Sequence, residues 1–177
     1  MRTYVAFLRG INVGGQKKIL MSDLRLLFEA IGCSGVRTYI QSGNVIFSTD
    51  KDVDLAELIY AAIKEKYDWE VPVFVRTPSE LKEILTKCPF AEEKKVKSYF
   101  MLLSEAPDPG MIEELQEIRN PNEEFVITPN CIYFYSSTGY GRTKYNTNFF
   151  ERKLKVKTTA RNYRTMLKLS ELVQSSF

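Results

Sequence analysis

The 177-residue chain has no histidine, one tryptophan and only three cysteines. The first absence removes histidine acid–base chemistry and every Ser-His-Asp or Cys-His arrangement. Without histidine and without a Cys-x-x-Cys pair, a dedicated transition-metal site is not expected. Cys33, Cys88 and Cys131 are odd in number and far apart. They fit small buried residues in a reducing compartment rather than a disulfide framework. No stretch approaches the ~18 consecutive apolar residues of a membrane span. The apolar run before Arg9 is also too short for the core of a signal peptide. The expected location is therefore the cytoplasm, with no membrane partner.

What is present suits a packed interior. Hydrophobic residues make up 44% of the chain and aromatics 12%, enough for one domain or two small subdomains. The net charge of +3 is unevenly placed. Tyr140 to Arg164 holds eight cations and one acid, Glu151, whereas Ser104 to Glu124 holds seven acids and one cation, Arg119. Such a division gives either two solvated faces of opposite sign or a basic surface that attracts an anionic partner.

Apolar periodicity and capping signals place the elements. Thr3–Leu8 is a strand whose two alternating sets, Tyr4/Ala6/Leu8 and Val5/Phe7, are both apolar, so both faces should be covered. A helix capped by Ser22 runs to about Ile31, with Leu24, Leu27, Phe28 and Ile31 on one stripe. Val36–Ile40 and Asn44–Ser48 read as strands joined by the tight turn Gln41-Ser42-Gly43. Asp54 starts a helix to about Lys66, and Val71–Val75 is a fourth strand. The order βαββαβ is that of a ferredoxin-like unit. Thr77-Pro78-Ser79-Glu80 opens a connector helix.

Strands at Ser98–Leu103, Glu124–Thr128 and Cys131–Tyr135 then follow. Helices are expected from Asp108 to about Arg119, over Asn146–Lys153 and over Arg161–Val173. The expected class is α+β, with two ferredoxin-like halves of antiparallel sheet, helices on one face and an internal duplication. The expected divisions are an N-terminal subdomain over 1–76, a connector over 77–97 and a C-terminal subdomain over 98–177.

The most distinctive stretch is Arg9-Gly10-Ile11-Asn12-Val13-Gly14-Gly15-Gln16-Lys17-Lys18. It carries three glycines, three cations, two amides and no carboxylate. Such a loop can bring backbone N–H groups and positive charge to a bound anion. It is not a phosphate-binding P-loop, because one residue too many precedes Lys17 and Lys18 stands where Ser or Thr would hold magnesium. In the split βαβ topology the turn at Gln41–Asn44 lies at the same sheet edge. Arg9, Asn12, Gly14, Gly15, Lys17, Gln41, Ser42 and Asn44 are thus candidates for one ligand-binding surface. The alternative for the glycines and for Asn12 and Asn44 is that they only form turns and cap backbone groups. Ser42 has no adjacent base to make it a nucleophile.

Three blocks together resemble the bacterial DUF1697 family, a domain of unknown function. They are Tyr4 to Gly15, Val36-Arg37-Thr38-Tyr39-Ile40-Gln41-Ser42-Gly43-Asn44-Val45-Ile46-Phe47, and Thr158-Thr159-Ala160-Arg161-Asn162-Tyr163-Arg164-Thr165. The resemblance implies the same α+β architecture of two ferredoxin-like halves and a cytoplasmic bacterial origin, and it supplies no activity. Within the third block, Thr159 is expected to cap the last helix, with Arg161 and Asn162 at its start either as a second-half contribution to anion binding or, for Arg161, as the partner of a nearby carboxylate. Gly139–Lys144 is a further basic loop that can serve as a lid or as an ordinary solvated loop.

Two partner classes follow. The first is a small anionic ligand bearing phosphate or carboxylate. The second is nucleic acid on the basic C-terminal third, although no RNA-recognition signature is present. An enzyme whose substrate supplies its own reactivity and a structural or partner-binding module complete the alternatives. No cofactor or oligomeric state is implied.

Overall fold

The computed structural model describes residues 1–174. The last three positions of the expected C-terminal subdomain, 175–177, lie outside the described residues. Two compact units are present. One comprises Met1–Leu81 with the segment from Leu169 onward, and the other Lys82–Lys168. The expected connector over 77–97 is not a separate body: it is divided at Leu81, and the end of the terminal helix groups with the N-terminal unit.

The first unit contains β1 (Arg2–Leu8), α1 (Met21–Ala30), β2 (Ser34–Tyr39), β3 (Asn44–Thr49), α2 (Leu55–Tyr67) and β4 (Val73–Arg76). Its four strands form an antiparallel sheet in the order β2-β3-β1-β4. Ala6, Leu8, Val45 and Phe47 pack with Leu24, Leu27 and Phe28 of α1 and Ile59 and Ile63 of α2 in one core. Phe47 is fully buried, stacked on Tyr4 at 5.7 Å and edge-on to Phe28 at 5.2 Å between ring centroids. The other alternating set of β1, Val5 and Phe7, is buried as well, which explains why this strand is apolar on both faces.

Local chemistry sets the helix ends. Asp54 accepts a hydrogen bond from the Glu57 N–H and caps α2. Thr77 and Glu80 form a reciprocal capping box at α3 (Pro78–Thr86): the Glu80 carboxylate accepts from the Thr77 N–H at 2.7 Å, and Thr77 Oγ1 accepts from the Glu80 N–H at 3.2 Å. Ser22 does not cap α1. That helix begins at Met21 after Leu20, with no side-chain cap.

The second unit contains the short α4 (Glu92–Lys95), β5 (Tyr99–Leu103), α5 (Pro109–Gln116), β6 (Glu123–Ile127), β7 (Cys131–Ser136), a 3-10 turn at Tyr140–Arg142, α6 (Thr147–Leu154) and β8 (Thr158–Asn162). The sheet order β6-β7-β5-β8 repeats that of the first unit, strand for strand. Its core joins Met101, Ile132 and Phe134 to Leu115, Phe150 and Leu154. The last helix, α7 (Tyr163–Gln174), follows β8 directly.

Here the structure corrects the sequence reading. Thr158–Asn162 is a strand paired with β5, not the opening of a helix. Thr159 is therefore not a cap, and Asn162 takes that role by accepting from the Thr165 N–H at 2.8 Å. The strand was hidden because Thr-Thr-Ala-Arg-Asn has no apolar alternation.

Replacing Phe47 with alanine removes a ring that meets both sheet and helix. The expected cost is about 3–5 kcal/mol, measurable as a lower urea midpoint at unchanged slope.

Candidate functional site

β1 lies between β3 and β4 in its sheet. The loop after β1 is consequently flanked by the β2–β3 turn on one side and by the segment leading into β4 on the other. Main-chain bonds tie both sides: Leu8 N–H donates to the Gly43 carbonyl at 2.8 Å, and Arg9 N–H to the Pro72 carbonyl at 3.0 Å.

The side chain of Asn12 makes the decisive links. Its Nδ2 donates to the carbonyls of Ile19 and Gln41 at 3.1 and 2.9 Å, and its Oδ1 accepts from the Ile19 N–H at 2.9 Å. One amide thus closes its own loop and bonds it to the neighbouring turn. Asn44 is fully buried, and its Nδ2 donates to the Tyr39 carbonyl at 3.0 Å and to Ser42 Oγ at 2.9 Å. The two asparagines therefore build the surface rather than present groups from it.

Between Asn12 and Lys17 the chain is a miniature hairpin. Asn12 N–H donates to the Lys17 carbonyl at 3.1 Å and Gln16 N–H to the Val13 carbonyl at 3.0 Å. Gly14 and Gly15 at the tip have φ of +59° and +75°, as the two central residues of a type I′ turn require. Gly43 answers a different constraint. A Cβ there would stand 2.8 Å from Leu8 Cβ and 2.9 Å from Ile11 Cδ1. Three non-glycine residues of the same surface, Asn12, Lys17 and Ile40, also have positive φ, at +54°, +45° and +51°. For β-branched Ile40 this conformation is strained. It also ends β2 at Tyr39, one residue before the expected end.

Gly14, Gly15, Gln16, Lys18 and Gln41 are exposed, and Arg9, Lys17 and Ser42 are half-buried. Lys17 Nζ donates to the Glu70 carbonyl at 2.6 Å. The Glu70 carboxylate itself lies 3.8 Å from Lys64. Neither the loop nor the turn contains a carboxylate, so the surface offers hydrogen-bond donors and positive charge but no proton acceptor suited to general base catalysis.

Thr159, Arg161 and Asn162 belong to the other unit. Arg161 is 8% exposed and donates to Thr159 Oγ1 and to the Ala160 carbonyl, each at 2.9 Å. Desolvation lowers its pKa to about 10. It is a buried structural guanidinium rather than the helix-terminal clamp expected from sequence. The basic Gly139–Lys144 loop is anchored. Glu123, 6% exposed, accepts from the N–H groups of Lys144 at 2.7 Å and Tyr145 at 3.0 Å. Tyr140 of that loop stacks on Tyr99 at 4.2 Å. Nothing in the acidic run around Glu123 marks it as the one carboxylate turned inward.

The thiols of Cys33 and Cys88 have raised pKa values, chiefly through burial, which disfavours the nucleophilic thiolate. Among the described residues no group of three or more Cys, Asp or Glu is placed to hold a metal ion. Open surface clefts of about 490 Å³ around Asn146 and Arg152, 430 Å³ beside β6 and 450 Å³ across β2 and β3 do not include the loop.

The DUF1697 sequence profile, described as a protein of unknown function, matches residues 1–133. The chain belongs to the DUF1697 family. The DUF1697 match covers both the Arg9–Lys18 loop and the Gln41–Asn44 turn. Among solved structures, the chain is similar to the conserved bacterial protein SP0830 from Streptococcus pneumoniae, with a TM-score of 0.75 and 24% identity over 96% of this chain and 97% of that one. At that identity the likeness concerns the fold. A comparison with curated proteins returns no match. No helix among the described residues is long and apolar enough to cross a membrane.

The two glycine environments give a direct contrast. Gly14→Ala meets open space and is expected to cost only the left-handed backbone penalty, about 1–2 kcal/mol. Gly43→Ala adds a clash with β1 and should cost clearly more. Asn12→Ala is expected to lose about 1–3 kcal/mol. Urea unfolding of the three variants should rank Gly43→Ala as the least stable.

Proposed function

We propose that the surface made by the Arg9–Lys18 loop and the Gln41–Asn44 turn binds a small anionic ligand carrying phosphate or carboxylate. The observation that carries this reading is the Asn12 amide. It holds two carboxylate-free segments together. Arg9, Lys17 and Lys18 supply charge, while the Gly14 and Gly15 N–H groups, Gln41 and Ser42 supply directional hydrogen bonds. Three non-glycine residues held at positive φ support it further, since such conformations concentrate at binding and switch regions. Asn12 and Asn44 act as scaffold, and the buried Arg161 is left out of the binding set.

The nucleic-acid alternative draws less support. Stacking on a sheet needs exposed aromatics, whereas Phe7, Phe47, Phe100, Tyr133 and Phe134 of the inner strands are all buried. The repeated strand order supports reading the two units as duplicated ferredoxin-like halves. Three free cysteines support reading the location as cytoplasmic.

The test is thermal stability of the full chain with inorganic phosphate, nucleotides, sugar phosphates and carboxylates at low salt. A ligand specific to the native state should stabilise by about 2.7 kcal/mol at a hundredfold excess over its Kd. Arg9→Ala and Lys18→Ala should abolish that shift while leaving the unliganded midpoint nearly unchanged. No shift with any of these anions would reject the proposal.

A further inference from the structure

The acidic Ser104–Glu124 stretch plays no part in the proposed anion site. It runs into the outer strand of the second sheet, β6. The β6–β7 register decides which β6 groups are paired. Glu124 lies opposite Tyr135 and Val126 opposite Tyr133. Hydrogen bonds from the Ser137 N–H to the Asn122 carbonyl and from the Thr128 N–H to the Cys131 carbonyl flank them in the same alternation. Antiparallel pairing alternates strictly, so Glu124 and Val126 bond to β7, and the N–H and C=O groups of Glu123, Phe125 and Ile127 point away from it. The Glu123 N–H turns back to the Asn120 carbonyl at 3.4 Å. The groups of Phe125 and Ile127 face no neighbouring strand.

An open cleft of about 430 Å³ runs along this edge. Its walls include Phe90, Ile118, Phe125 and Val126. Free edge and cleft together have the form that accepts an added strand, with main-chain bonds at Phe125 and Ile127 and apolar contacts for alternate side chains. Charge selects the occupant. Glu113, Glu114 and Glu117 are exposed on and just after α5, which leads into the cleft wall at Gln116 and Ile118. Glu124 is ion-paired with Lys94, and the Arg119 guanidinium donates to the carbonyls of Gln116 and Ile118. A second copy of this chain paired edge to edge would set two such acidic rims against each other.

We propose that β6 receives an extended, apolar segment of a partner protein flanked by lysine or arginine, added as a further strand of this sheet. The experiment uses the full chain and three short probes: a valine-rich peptide flanked by lysines, the same peptide with aspartate for lysine, and the lysine peptide with N-methylated central residues. Residue-resolved amide exchange should slow at Phe125 and Ile127 with the first probe and with neither of the others. The Glu124 and Val126 amides, already in the ladder, should change little. The triple variant Glu113→Gln, Glu114→Gln, Glu117→Gln keeps the strand edge and should bind the lysine peptide about tenfold more weakly. Binding weaker than about 1 mM, or binding without protection of those two amides, would overturn the proposal. Protection on raising protein concentration alone would overturn it in favour of self-association.

Discussion

Both N–H donors of the Asn12 side chain, and its oxygen, are engaged in main-chain bonds within one unit. That side chain fastens together two segments almost thirty residues apart that strand order already brings to one edge. The first is a glycine hairpin after the central strand, the second a tight turn between the next two strands. Because β1 is central and buried, its loop has neighbours on both sides and no freedom to swing away. Gly43 adds a steric limit, since only a residue without Cβ lets the turn lie against Leu8 and Ile11.

This arrangement separates two roles that residue type alone mixes together. Amides and glycines in a basic loop can be ligand groups or turn formers. Here Asn12, Asn44 and Gly43 are turn formers, Lys17 is bonded to the Glu70 carbonyl, and Lys18, the tip glycines and Gln41 are exposed. The chemistry that is left is donation without proton abstraction. That is the chemistry on which the proposed anion binding rests, in a chain with no histidine to supply a base.

The second unit repeats the strand order of the first with different polar fittings. Its basic loop is held by one inward carboxylate, Glu123, and its guanidinium at Arg161 is buried among strand residues. Its acidic stretch adjoins a strand edge whose alternate main-chain groups face no neighbouring strand. The same strand order thus carries two different surfaces, one cationic and glycine-rich, the other acidic and strand-edged.

Local signals were enough for most elements. Alternating apolar residues in Thr3–Leu8 and Cys131–Tyr135, the Thr77–Glu80 box and the caps Asp54 and Asp108 all act within a few residues, and each appears where its spacing places it. The neighbourhood of the Arg9–Lys18 loop and the Gln41–Asn44 turn was legible too, because strand order alone brings them to one edge. The remainder required tertiary structure. Thr158–Asn162 becomes a strand only because β5 offers it a partner, overriding a polar sequence without strand periodicity. Arg161 is buried, and Glu123 faces inward, for reasons of packing that no spacing records. Sequence by itself determined that β3 lies between β1 and β2 and that the Arg9–Lys18 loop and the Gln41–Asn44 turn share one surface, since those follow from local periodicity and chain connectivity. Only the tertiary structure decided which of its polar groups bond to the protein's own backbone and which face outward.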